Sequence, residues 1–204
     1  MKGLLLKDFY QMGRYCRTFL LIIAVFLGLS VMEGASLFFS LYPAMLCGIL
    51  PVTLLSYDER SGWTKFAGTL PCTRAQIVSA KYLLGVIIEI VIIAVSLLVT
   101  MAVKGAGASG FMGALVGMMW CAGFLPPAII LPVVFRLGVE KGRMVYLAVV
   151  ALIAGGAAAV MRTVSIDAAG EFSPAAMGAA ALAATVIYAL SWLLSVRLYQ
   201  RKEL

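Results

Sequence analysis

Residues 57–82 read YDERSGWTKFAGTLPCTRAQIVSAKY, and the fold turns on how they are read. They form the longest run without a membrane-grade apolar segment, and greasy sequence flanks them on both sides. Asp58, Glu59, Arg60, Lys65, Arg74 and Lys81 supply their charge. Trp63, Phe66, Ala67 and Leu70 recur at spacings of three, one and three, the stripe of a short amphipathic helix. Pro71 cannot extend that helix, because it has no N–H and its ring clashes with the preceding turn. Thr73 and Gln76 form the pattern of a capping box, which starts a second helix with no stop signal before Lys104. A polar helical segment is thereby fused to a membrane span, which makes a lever. The competing reading is an ordinary cytoplasmic loop whose aromatics rest on lipid headgroups.

Working outward, the composition agrees with a membrane setting. Of 204 residues, 63% are hydrophobic and 12% charged, where a soluble domain carries about 25% charged residues. The length accommodates six spans of ~20 residues with short connections and leaves no sizeable soluble domain. The net charge of +7 reflects basic residues gathered on one membrane face and does not imply nucleic acid. The chain has no histidine, so the commonest general base and metal ligand is absent. Cys16, Cys47, Cys72 and Cys121 show no C-x-x-C spacing and read as reduced structural residues.

Residues 2–17 place Leu5, Phe9, Met12 and Cys16 on one helical face and Lys7, Gln11 and Arg14 on the opposite one. This predicts an amphipathic helix lying in the headgroup region. A cleaved signal peptide is rejected, since the polar segment is long and further spans follow. Spans are expected at about 18–32, 36–57, 82–103, 110–135, 144–161 and 174–196. Lysine and arginine number four in the N-terminal segment, four in the central stretch, three in 136–143 and three in the tail. Only Lys104 and Arg162 fall on the other side. That bias places both termini in the cytoplasm.

Glu89 is the only carboxylate well inside a span. A charged carboxylate near a bilayer centre costs about 2.5–3.5 kcal/mol on insertion scales. It lines a transport path or a subunit interface, or it is a protonated or snorkelling residue about two turns above the inner boundary. Pro126, Pro127 and Pro132 interrupt the fourth span, and the carbonyls they free must meet protein or a water-filled cavity. That makes either a hinge or cavity wall, or a kink satisfied by neighbouring helices. No G-x-x-x-x-G-K-[ST] or G-x-S-x-G motif is present. Asp58-Glu59 is the nearest acidic pair, and its position at a loop start reads as capping.

The opening MKGLLLKD and the central stretch resemble the permease subunits of type-2 ATP-binding-cassette (ABC) exporters, in their small bacterial six-span branch. The central resemblance rests on Asp58-Glu59, Trp63, Leu70-Pro71-Cys72-Thr73-Arg74, Ile77-Val78 and Lys81-Tyr82. Cys72 departs from the small or aliphatic residue expected there. The resemblance implies one all-α permease domain over 1–204, with an interfacial helix in 1–17 and a cytoplasmic coupling segment in 58–81. It implies a bacterial plasma-membrane protein that forms a homo- or heterodimer with a second permease subunit. It further implies a separate cytoplasmic ATPase that holds ATP and Mg, this chain binding no cofactor or metal and catalysing nothing itself. Asp58, Glu59, Trp63, Phe66, Leu70, Pro71, Thr73 and Arg74 would then form the ATPase-docking and coupling surface. Glu89, Pro126, Pro127 and Pro132 would line the pathway or an interface.

The transported cargo on this reading is amphipathic or lipophilic (a peptide, antimicrobial or drug), since the spans are rich in Ala, Gly and Met and poor in fixed charge. Two other classes compete. One is a self-protection (immunity) protein that acts by binding. The other is an intramembrane lipid-modifying enzyme, which the missing histidines, paired acids and nucleophile motifs count against. The six-span topology predicts that a cysteine probe at Ser109 or Gly170 is labelled from outside and one at Lys202 from inside. Outside labelling at Lys202 would overturn it.

Overall fold

The computed structural model describes residues 2–67, 73–105, 109–138, 144, 148 and 174–200. Leu70, Pro71, Cys72 and nearly all of the fifth expected span lie outside the described residues. Among the described residues every regular element is helical: α1 (Lys2–Tyr15), α2 (Arg17–Met32), α3 (Leu37–Arg60), α4 (Trp63–Ala67), α5 (Arg74–Lys104), α6 (Ser109–Leu137) and α7 (Pro174–Gln200). Four helical segments, within α3, α5, α6 and α7, are long and apolar enough to cross a membrane. A fifth is added if α1 and α2, bent by 75° at Cys16, count as one broken span.

Local chemistry sets the boundaries. Gly34 (φ +68°) and Ala35 (φ +59°) turn the chain between α2 and α3 through two successive left-handed residues. The Ala35 N–H donates to the Ser30 carbonyl, and the Ser30 and Ser40 hydroxyls pair across the two helices at 3.1 Å. The expected capping box is present at the start of α5. The Gln76 N–H donates to Thr73 Oγ1 (3.3 Å), and the Thr73 N–H donates to Gln76 Oε1 (3.1 Å). From there α5 runs unbroken for 31 residues. At ~1.5 Å per residue that exceeds a ~30 Å hydrocarbon core, so one helix includes both the polar segment and a span.

Two adjoining cores bind the helices together. One gathers Val52 and Leu55 of α3, Val78 and Tyr82 of α5, Phe124, Leu131 and Val134 of α6, and Tyr188 of α7. The other joins Cys16 and Ile23 to Leu50 and Leu54 of α3, Leu84 and Ile88 of α5, and Leu115 and Met119 of α6. Glycines allow the closest approaches. A Cβ at Gly48 of α3 would lie 2.7 Å from the Gly123 carbonyl of α6, and one at Gly85 of α5 3.0 Å from the Tyr188 hydroxyl.

Pro126, Pro127 and Pro132 lie inside α6, which continues through all three. Pro132 removes the donor that would reach the Ala128 carbonyl. Ser191 of α7 donates its hydroxyl to that carbonyl instead. The freed carbonyl is satisfied by a neighbouring helix, as a membrane interior demands.

Candidate functional site

The polar face of α1 does not simply look away from the protein, as the helical-face reading of residues 2–17 expects. Lys7 and Asp8 turn inward to meet Asp58 and Lys81. Lys7 Nζ lies 3.0 Å from Asp8 Oδ1 and 2.7 Å from Asp58 Oδ1. Lys81 Nζ lies 2.7 Å from Asp8 Oδ1 and 2.7 Å from Asp58 Oδ2. The four groups form a closed ring of alternating sign and zero net charge, fed by α1, α3 and α5. Asp8, Asp58 and Lys81 are all buried, while Lys7 keeps a quarter of its side chain exposed.

This corrects the reading of Asp58-Glu59 as a cap at a loop start. Both residues sit in the last turn of α3, where a carboxylate is disfavoured by the helix dipole. The two ammonium groups offset that cost for Asp58. Removing one member of such a buried group is expensive, about 3–5 kcal/mol, because it leaves a charge uncompensated. Glu59 is exposed, with its carboxylate near Gly138 at the end of α6.

The ring also holds α4. Lys7 Nζ lies 4.5 Å from the centre of the Trp63 ring, a cation–π distance. Trp63 packs in turn on Phe66 at 5.4 Å. Trp63 is half-buried and Phe66 is 56% exposed, so Phe66 is the more outward of the two aromatics. Beside them a cavity of about 470 Å³ opens between α1, the end of α3 and α4. Lys7, Gln11, Tyr15, Tyr57, Arg60 and Trp63 line it, with Tyr15 and Tyr57 stacked at 4.8 Å. Arg74, expected on the same surface, instead donates to the Gln200 carbonyl at 3.0 Å. It thereby supplies a cation to the C-terminus of α7.

Next to Lys81 in the chain, Tyr82 joins a second network, which runs into the membrane helices. Its hydroxyl lies 2.8 Å from Ser191 Oγ and 2.7 Å from Ser195 Oγ. The Tyr188 hydroxyl donates to the Tyr82 carbonyl at 2.9 Å. Ser191 is the residue that satisfies the carbonyl freed by Pro132, so Tyr82 reaches α6 through α7. On the outward side of this contact an apolar groove of about 390 Å³ runs between α5 and α7, lined by Ser79, Leu83, Val86 and Trp192. Trp192 donates its indole N–H to Ser79 at 2.9 Å.

The sequence leaves Glu89 either as a pathway or interface residue or as a protonated or snorkelling one near the inner boundary. It lies halfway along α5 and is 2% exposed. Of the expected docking residues, Asp58, Trp63 and Phe66 fall in one neighbourhood. Thr73 and Arg74 start α5, and Leu70 and Pro71 lie outside the described residues. The ring residues Asp8 and Lys81 were not singled out from the sequence, although both stand in the stretches that carry the family resemblance. No group of three or more metal-ligating side chains occurs among the described residues.

These features define a multi-pass helical membrane protein whose polar centre lies where α1 meets the end of α3 and the first turns of α5. Residues 3–200 match the sequence model of the family described as ABC-2 family transporter protein, and the chain belongs to that family. Members are membrane subunits of transporters, generally non-catalytic, that work with an ABC ATPase. No curated protein matches the chain.

The ring predicts a defined pattern of stability. Lys81→Met should lower the melting temperature of the purified protein in detergent strongly, by a cost of about 3–5 kcal/mol. Combining Lys81→Met with Asp8→Leu should restore most of the loss, since the ring again sums to zero charge. Equal melting of the wild type and the single variant would show that the ring carries no such strain.

Proposed function

We propose that this chain is the membrane subunit of an ATP-driven exporter of the bacterial plasma membrane, with six spans and both termini in the cytoplasm. A separate ATPase binds ATP and Mg, and this chain supplies the pathway together with a second permease subunit. The cargo is amphipathic or lipophilic. α4 and the cavity beside it are the ATPase docking surface, and α4 is the coupling helix.

One observation carries this reading. α4 is tied through Lys7 and Trp63 to a buried ring of charge drawn from α1, α3 and α5. A push on α4 therefore acts on a rigid corner. The capping box at Thr73 and the unbroken course of α5 continue that corner into the membrane. The basic bias of the sequence puts the corner on the cytoplasmic side, where a nucleotide-hydrolysing partner resides. Aromatic residues dominate interface energetics when buried as anchors, and Phe66 offers the exposed ring while Trp63 supports it from behind.

Co-purification with the ATPase tests the proposal. At equal membrane expression, Phe66→Ala and Trp63→Ala should each cost on the order of 2 kcal/mol of association, about 30-fold in affinity. Permease-stimulated ATP hydrolysis should fall in step. Unchanged recovery together with unchanged stimulation would reject docking at α4 and return this segment to an interfacial loop.

A further inference from the structure

The buried acid of α5 has no place in the docking reading. Glu89 is 2% exposed, and neither carboxylate oxygen has a hydrogen-bond partner among the described residues. A Cβ on Gly123 of α6 would fall on its carboxyl group, so the side chain occupies space that only a glycine leaves open. Against the other side of that glycine, α3 closes in, with Gly48 packed on the Gly123 carbonyl and on Pro127. Neither cavity described above is lined by Glu89.

Among the described residues, the surroundings of Glu89 carry no compensating charge. Cys47 of α3 and Tyr188 of α7 lie within electrostatic reach of Glu89, and both side chains are ordinarily neutral near neutral pH. α2, α6 and α7 carry their only charged residues, Arg17, Arg136 and Arg197, toward their ends. On α5 itself the nearest charges are Lys81, already held in the ring, and Lys104 at the last turn. A metal ion would need several further oxygen ligands, and no ligating group of three exists among the described residues. An ionised carboxylate without a partner is far costlier in such a place than the neutral acid. A proton fits the space and removes the charge.

We propose that Glu89 is a proton-binding site of the transport cycle. The neutral acid is held while α3 and α6 are closed on α5, and the proton leaves when those helices part and water reaches the carboxyl. One proton is taken up and one is released, with no other bond changed. The role in the cycle rests on the permease reading, while the bound proton itself does not. Closure is then favoured by acid and weakened as pH rises, because only the closed form retains the proton.

Isotope-edited infrared spectroscopy of the full chain in lipid nanodiscs, labelled with carbon-13 glutamate and without any ATPase, tests the site directly. Near neutral pH the wild type should show a labelled carboxylic-acid C=O stretch that is lost in Glu89→Gln. Glu89→Asp, which removes the labelled side chain but keeps an acid, should lose it too and guards against poor folding of the first variant. A wild-type spectrum with carboxylate bands only, or an acid band that survives in either variant, would overturn the proposal. If the acid band is assigned to Glu89 while no ATPase associates with the chain, the proton site stands and the permease reading fails. If an ATPase couples but transport by wild type and Glu89→Gln shows the same pH profile, the role in the cycle is overturned.

Discussion

A ring of two lysines and two aspartates, mostly withdrawn from water, constrains everything around it. Lys7, Asp8, Asp58 and Lys81 each touch two partners of opposite sign. Such groups gain little over well-packed apolar residues, but they do not tolerate loss of one member. Their value here is positional. Charges on three helices can neutralise one another only in one relative placement, so α1, α3 and α5 are fixed together. The cation–π contact of Lys7 extends the same fixation to Trp63 and thus to α4.

From that corner the structure leads inward through adjacent residues. Lys81 belongs to the ring, and Tyr82 belongs to the hydroxyl network with Ser191 and Ser195. Ser191 in turn occupies the carbonyl freed by Pro132. One turn of α5 therefore joins α1, α3, α7 and the proline-bearing α6. Each contact answers a demand of the apolar medium, which leaves no unpaired charge or carbonyl without cost. Among the described residues, Glu89 and Ser96 of α5 keep buried oxygens with no hydrogen-bond partner, and the proposed proton answers the first.

What could be read from the sequence was local. The Thr73 and Gln76 box needs only three residues of separation, and it formed as expected. The long course of α5 and the short helix at Trp63 followed from periodicity and from breakers. The ring was not legible, because it joins residues 51 and 73 positions apart. Nor was the bond from Arg74 to Gln200, across 126 positions. A signal was nevertheless present. Lys81 and Glu89 fall on the same stripe as Val78, Tyr82, Ile88, Ile92 and Ser96, all buried. A charge on the buried stripe of a helix must find either a partner or a proton. Reading Glu89 by its distance from an assumed membrane boundary, and not by its helical face, left its burial against α6 unread. Pro132 could be identified as freeing a carbonyl, but the partner on α7 became visible only once the helices were packed.

The central claim is that the buried ring makes α1, α3 and α5 move as one body. Pulsed dipolar spectroscopy between spin labels at Tyr10 on α1 and Arg60 at the end of α3, both exposed, tests it most directly. The account predicts one narrow distance distribution for the otherwise native protein in lipid. It also predicts that Asp8→Asn, which removes a charge at nearly constant shape, broadens that distribution. A broad distribution with the ring intact, or an equally narrow one after Asp8→Asn, would contradict the account.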